Sequence, residues 1–164
     1  MGKDGAVAPF VPPSGGVVFQ GASELSLDAK GRLAVPTRHR DALSSGGGAI
    51  VLTAHPDGCL LLYPKVAWEP IGARIQGLSS FNEQARWWQR LLVGFAEELE
   101  LDGSGRILVS PALRKFANLK KQVMLVGQGS HFELWDAEAW EQKLGQAMAV
   151  AGSTPPPGTE NFAL

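Results

Sequence analysis

The sequence is poor in cysteine. Among 164 residues only Cys59 is present, so no internal disulfide framework can form, and that usage fits a reducing compartment. Long apolar runs are also missing. A membrane span needs roughly 18 consecutive apolar residues, whereas the longest runs here, such as Ala49–Ala54, are strand-sized, so no membrane partner is expected. The opening residues from Gly2 to Pro13 lack the continuous apolar stretch of a signal peptide, and a cytoplasmic protein is expected. Nucleotide-binding fingerprints are absent too. Gly46-Gly-Gly48 is not followed by Gly-Lys-Ser/Thr, and Gly127-Gln-Gly129 lacks the third glycine of a dinucleotide loop. His55, Asp57 and Cys59 crowd one turn, but the corresponding region of the second half holds Gln128 and His131 and no cysteine. A turn flanked by a buried thiol accounts for them better than a metal site or a thiol-dependent enzyme. No catalytic residue, metal ligand or cofactor is assigned, and a non-enzyme is expected.

The chain is 45% hydrophobic and 19% charged, the profile of a soluble globular protein. A chain of this size buries roughly 70% of its unfolded surface and needs no covalent staple. The net charge of −1 argues against a protein that coats nucleic acid, since such proteins are usually basic. The total hides a segregation, however. The windows 30–40 and 106–121 contain no acid, yet their 27 positions hold 9 of the 15 basic residues. The compensating acids cluster elsewhere, at Glu97, Glu98, Glu100 and Asp102 and from Glu133 to Glu141.

Both basic windows belong to a repeat. At an offset of 74, Leu25, Leu27, Asp28, Gly31, Arg32, Val35 and Arg40 match Leu99, Leu101, Asp102, Gly105, Arg106, Val109 and Arg114, and Leu33 meets Ile107. A weaker match follows at an offset of 72, pairing Val51, Leu62, Tyr63, Ala67 and Trp68 with Val123, Leu134, Trp135, Ala139 and Trp140. One duplication is too few for a solenoid; it points to two like units about a pseudo-two-fold axis.

Within each unit Leu25 and Leu27, then Leu33 and Val35, alternate with polar or small residues, the period of a half-buried strand. Asp28-Ala-Lys-Gly31 and Asp102-Gly-Ser-Gly105 lie between such strands as tight turns, so a strand–turn–strand hairpin is expected, with the arginine directly after the turn glycine. Pro36 and Pro111 then start short helices over 37–43 and 112–117. Strand pairs follow at 50–53 with 59–63 and at 123–126 with 131–135. A helix closes each unit, carrying Trp68, Ile71, Ile75 and Leu78 in the first, and Trp140, Leu144 and Ala147 in the second with Asp136 as N-cap. Residues 80–96 between the units read as a helix with a Ser80/Glu83 capping box, in which Glu83 can pair with Arg86 or Arg90. Trp87, about 100° from Trp88 on the wheel, belongs either to a wide buried face or to a subunit contact. The expected organisation is a disordered extension at 1–17, a first unit at 18–79, a connecting helix at 80–97, a second unit at 98–150 and a disordered tail at 151–164.

The strongest site candidate is the doubled Asp-x-x-Gly-Arg, formed by Asp28, Gly31 and Arg32 and by Asp102, Gly105 and Arg106. Arginine offers a rigid fork that pairs bidentately with guanine or grips phosphate. Lys30, Arg38, Arg40, Arg114 and Lys115 are candidate phosphate contacts, with His39 on the same helix. The plainer alternative is an Asp–Arg pair that only closes the turn, and the two roles are compatible.

Val18-Phe-Gln-Gly-Ala22, Leu27-Asp-Ala-Lys-Gly-Arg-Leu-Ala-Val-Pro-Thr-Arg38, Cys59-Leu-Leu-Leu-Tyr-Pro64, Leu101-Asp-Gly-Ser-Gly-Arg-Ile107, Val123-Met-Leu-Val-Gly-Gln128 and Phe132-Glu-Leu-Trp135 together resemble the bacterial MraZ family, over about residues 18–148. That resemblance implies an α+β fold of two tandem SpoVT-AbrB-type units, a double barrel with peripheral helices. It also implies ring-like homo-oligomers and a nucleoid-associated transcriptional regulator, with repression by promoter occlusion as the expected outcome. The double-stranded DNA implied is a set of short, repeated G-rich boxes upstream of the division and cell-wall gene cluster. The family's Asp-x-x-x-Arg motif falls on Asp28/Arg32 and Asp102/Arg106, with arginine as the DNA-reading residue. Two departures stand out. Family chains usually begin Met-Phe-x-Gly where this one has Val18-Phe-Gln-Gly21, as a GTG initiator read as an internal codon would give, so residues 1–17 are expected to have no role in the fold. Ser104 stands where the first copy has Lys30, so Arg32 ranks above Arg106. A protein-interaction module of antitoxin-like type is the alternative function.

Overall fold

The computed structural model describes residues 18–151 and 154–163. The expected extension at 1–17 lies outside the described residues, as do 152, 153 and 164 of the expected tail. The first half supplies β1 (Ala22–Ser26), β2 (Arg32–Ala34), α1 (Thr37–Leu43), β3 (Ala49–Ala54), β4 (Leu60–Pro64) and α2 (Lys65–Gln76). Next come α3 (Glu83–Trp88) and a π-helical turn at Gln89–Val93. The second half repeats the first with β5 (Glu97–Glu100), β6 (Arg106–Leu108), α4 (Pro111–Phe116), β7 (Gln122–Gly127), β8 (Phe132–Asp136) and α5 (Ala137–Ala151).

The fold is α+β, with antiparallel strands. Six of them form one sheet in the order β1-β7-β8-β4-β3-β5, and β2 and β6 form a separate two-stranded ribbon. Exchanging the two halves leaves that order unchanged, which is the pseudo-two-fold relation the repeat predicts. The expected closed barrels are not found among the described residues. β2 and β6 are three residues long and are cut short by Pro36 and by the Ser110-Pro111 helix start. They peel away from the large sheet instead of closing it.

The expected hairpins are also corrected. β1 and β2 meet only through the bridge Leu27↔Leu33. β1 instead pairs along its length with β7 of the other half, Ala22 opposite Val126 through Ser26 opposite Gln122. Reciprocally, β5 pairs with β3, Ala49 opposite Glu100 through Leu52 opposite Glu97. The halves have exchanged their first strands, so the Asp turns are crossover connections and not hairpin tips.

Strand alternation sorts the core. Ile50, Leu52, Leu60, Leu62, Val123, Leu125, Phe132 and Leu134 face one side of the sheet, where Leu33, Val35, Ile107 and Val109 of the ribbon segments and Leu43 and Leu113 of α1 and α4 cover them. Val51, Leu61, Tyr63 and Trp135 face the other side, against Trp68 and Ile75 of α2 and Leu92 of the π-helical turn. Burial on both faces explains why β3 and β4 read as near-continuous apolar runs. Thr53, fully buried, donates its hydroxyl to the carbonyls of Leu91 and Leu92, at 3.3 and 2.8 Å, and so ties that turn to the sheet.

Three local expectations need adjustment. Asn82, not Ser80, caps the connecting helix, its Oδ1 accepting from Ala85 N–H at 3.0 Å. Arg86 donates to the Ser80 carbonyl at 2.8 Å and is not paired with Glu83, while Arg90 lies 4.6 Å over the Trp87 ring. Trp87 and Trp88 are about half exposed, so Trp87 is not part of the core of one chain. Asp136 does cap α5, accepting from Ala139 N–H at 3.2 Å.

Candidate nucleic-acid interface

The two Asp turns are built alike. Asp28 Oδ1 accepts from the backbone N–H groups of Lys30 and Arg32 at 2.9 and 2.8 Å, and its Oδ2 accepts from Arg32 Nε at 2.7 Å. Asp102 accepts from Ser104 and Arg106 N–H at 2.9 Å each and from Arg106 Nε at 3.0 Å. The chain closes below with Gly31 N–H donating to Asp28 O and Gly105 N–H to Asp102 O, at 3.0 and 2.9 Å. Gly31 and Gly105 have φ of +86° and +74°, a conformation that glycine adopts without the strain a side chain would bring. The Arg32 N–H bond, more than any other contact, holds the Asp28 carboxyl down at about 2; Asp102 is lowered by the corresponding bond from Arg106. Both carboxylates are therefore charged at neutral pH and clamp their arginines.

The clamp engages Nε, one of five N–H donors on each guanidinium. Both arginine side chains remain about one-third exposed, at 34% and 33%. The ribbon fixes where they stand. Arg32 lies opposite Leu108, Leu33 opposite Ile107, and Ala34 opposite Arg106. Leu33 and Ile107 point into the core, so Arg32, Ala34, Arg106 and Leu108 share the outer face. Arg32 and Arg106 are thus diagonal neighbours, about 7–8 Å apart in such a ladder. The sequence alone does not reveal this pairing, because the two residues are 74 positions apart.

The remaining candidates separate into two groups. Lys30 and Lys115 are exposed. Arg38, also exposed, donates Nη2 to Ser23 Oγ of β1 at 3.1 Å. Arg40 and Arg114, by contrast, are half-buried and donate Nε to the carbonyls of Val35 and Val109, at 2.8 and 3.0 Å. His39 packs its ring edge against Phe132, 4.8 Å away between centroids, with Phe19 at 6.2 Å, and burial lowers its pKa. Cys59 is fully buried and burial pushes its thiol pKa up, the reverse of what a reactive thiolate needs.

The two ends of the ribbon differ in charge. A groove of about 470 Å³ beside the first turn is lined by Asp28, Arg114, Lys120 and Lys121. The matching registers Ser26 opposite Gln122 and Glu100 opposite Ala49 place Gly46, Gly47 and Gly48 at the second turn as the equivalents of Leu119, Lys120 and Lys121. Lys120, missed as a structural residue by its place in a basic window, bonds the buried Asp136 through Nζ at 3.2 Å and through N–H at 3.1 Å. Among the described residues no helix is long and apolar enough to cross a membrane, and no three His, Cys, Asp or Glu side chains come together as a metal site.

Two interlocked copies of one strand–turn–strand–helix unit, sharing a sheet and setting paired Asp–Arg turns on a short ribbon, define the class. The chain belongs to the MraZ family. The model described as "MraZ protein, putative antitoxin-like" matches it twice in tandem, at residues 18–91 and 92–155. A Methylobacillus flagellatus protein named Transcriptional regulator MraZ is 61% identical over 148 residues, 90% of this chain and 100% of that relative. Proteins of the same name from Aromatoleum aromaticum and Azoarcus sp. are 54% and 52% identical over 147 residues, each again 90% of this chain and 100% of the relative.

Proposed function

We propose that this protein is a non-enzymatic transcription regulator that binds double-stranded promoter DNA in a sequence-specific way and represses by occupying the promoter. The observation that carries this is the pair Arg32 and Arg106, held side by side by their aspartates on the outer face of the ribbon. A major groove admits a two-stranded β-ribbon. The diagonal spacing of about 7–8 Å corresponds to roughly two base-pair steps of about 3.4 Å, so both guanidiniums reach bases of one short box. Arginine suits guanine O6 and N7, each good bidentate contact being worth about 1–3 kcal/mol, which agrees with the repeated G-rich boxes upstream of the division and cell-wall genes that the resemblance implies. Lys30, Arg38 and Lys115 serve the phosphates and set the register. The relatives' shared name, Transcriptional regulator MraZ, supports the role, and the site of action is the nucleoid.

Residues 18–79 and 98–150 act as the two units, joined by 80–97. Phe81, 95% exposed, and Trp87 and Trp88 beside it suit a contact with a second copy in a ring-like homo-oligomer. A ring lines up several ribbons on successive boxes, and avidity multiplies modest single-ribbon affinities, which compensates for a net charge of only −1. The test is binding to a fragment with repeated G-rich boxes against a scrambled one, titrated with salt. Expected are a preference for the boxes and a steep linear fall of log affinity with log salt. Equal binding to both fragments, or a flat salt response, would overturn the proposal.

A further inference from the structure

Arg40 and Arg114 lie in the acid-free windows, yet the structure gives both the same internal task. Arg114 Nε donates to Val109 O, and Val109 N–H donates to Gly31 O of the first turn at 2.9 Å. The guanidinium also lies close against Gly31: a Cβ built there would come 2.7 Å from Arg114 Nε and 2.9 Å from its Cζ. The mirror arrangement holds in full. Arg40 Nε donates to Val35 O, Val35 N–H donates to Gly105 O at 3.0 Å, and the Arg40 guanidinium occupies the space of a Cβ at Gly105. Each arginine therefore stands on the short helix of one unit and braces the turn of the other. A planar, rigid guanidinium suits this close approach to a glycine while its Nε bonds a carbonyl; an ammonium is neither planar nor rigid.

We propose that Arg114 and Arg40 are positioning residues for DNA reading: Arg114 sets the placement of Arg32, and Arg40 that of Arg106, each across the unit boundary. Gly31 immediately precedes Arg32 and Gly105 immediately precedes Arg106. Moving the glycine moves the backbone from which the reading arginine and its Asp clamp are built. The strand exchange makes the coupling obligatory, because neither turn is held by its own unit alone. This inference rests on the DNA-reading role proposed above for Arg32 and Arg106.

The experiment is a double-mutant cycle of Arg114→Gln and Arg32→Ala, read by affinity for the G-rich boxes, affinity for scrambled DNA and the salt slope. Native-state amide exchange at Val109 is measured alongside, without DNA. A positioning role predicts that Arg114→Gln weakens box binding at least about fivefold, the lower bound for one well-placed arginine–base contact. It also predicts unchanged scrambled-DNA affinity and salt slope, no further loss in the Arg32→Ala background, and faster exchange at Val109. A direct phosphate contact predicts the opposite: a slope lower by about 0.9, weaker binding to both DNAs, and a full loss that persists without Arg32. That pattern, or unchanged Val109 exchange, would overturn the brace. If Arg114→Gln does not fold, Arg114→Lys keeps the charge without the planar fork: the brace still predicts weaker box binding and faster Val109 exchange, whereas a phosphate contact predicts box binding, scrambled-DNA binding and salt slope all close to wild type, which would overturn the brace. Failure of the underlying reading is distinguishable, since Arg32→Ala alone would then leave box binding intact while Val109 exchange still reports on the brace.

Discussion

Replacing Gly31 by alanine tests the geometry of the Asp turns at one atom. Gly31 has a φ of +86°, and its new Cβ would lie 2.7 Å from Arg114 Nε and 2.9 Å from Val109 O. The left-handed backbone costs about 1–2 kcal/mol for an L residue. Relief of the clash requires Arg114 to leave Val109 O, losing a charge-assisted bond of about 1.5–3 kcal/mol. The expected destabilisation is therefore about 2.5–5 kcal/mol, or roughly 5–20 °C in Tm for a domain of this size. Gly103→Ala is the internal control, because the same replacement in the equivalent turn meets nothing within 4 Å, and Ala29 already fills the matching place in the first turn. It is expected to be neutral or to stabilise by about 0.4–1 kcal/mol. Urea unfolding of the two variants at one protein concentration decides the matter. Equal midpoints would refute the assignment of Gly31 to a left-handed position under Arg114.

Asp28 gives a pH prediction. Its carboxyl is held at about 2, below its unfolded value, so its contribution is present above about pH 4 and lost as pH falls towards 2. Asp28→Asn should flatten that part of the acid-unfolding curve, and parallel curves for the two proteins would count against the clamp. His131 behaves in a related way: burial first, and then the neighbouring His55, push its pKa down to about 4. Stability is therefore expected to fall as pH drops from about 6.5 towards 4, and His131→Gln should remove that component of a denaturant-midpoint series between pH 7 and 4. Cys59 should resist a thiol reagent in the native protein and react fully in denaturant; rapid native labelling would contradict its burial.

Much of the architecture was legible in the sequence because it is written in local periods. Short apolar runs bounded by turn residues marked β3, β4, β7 and β8 to within a residue or two, and α1 starts at Thr37 after Pro36 as the proline predicts. The partners of β1 and β5 were not legible. Leu27 and Leu33 flank the five residues Asp28 to Arg32, which in one dimension look like any hairpin connection, and the bridge between them does form. Which strand continues the ladder depends on a contact about 100 residues away, between Ser26 and Gln122, and no local pattern encodes that. The cap was misplaced for a related reason. Ser80 and Asn82 both suit an N-cap, and only the path of the chain decides which one faces the N–H of Ala85.

At the candidate site, the Asp–Arg pairs were readable from their duplication, whereas the bonds of Arg40 and Arg114 to the carbonyls of Val35 and Val109 were hidden by the basic windows around them. One signal was available. Arg40/Arg114 and Gly31/Gly105 are kept in both copies, while Lys30 is replaced by Ser104. A residue repeated with its glycine is more consistent with an internal fit than with a phosphate contact, which tolerates replacement.

The central claim is that Arg32 reads DNA from the ribbon without supporting the assembly. Its most direct measurement is footprinting on the promoter upstream of the protein's own gene, with wild type and Arg32→Ala compared at equal oligomer size. The account predicts protection of the repeated boxes by wild type and its loss in the variant, the oligomer being unchanged. Full protection by Arg32→Ala would contradict it.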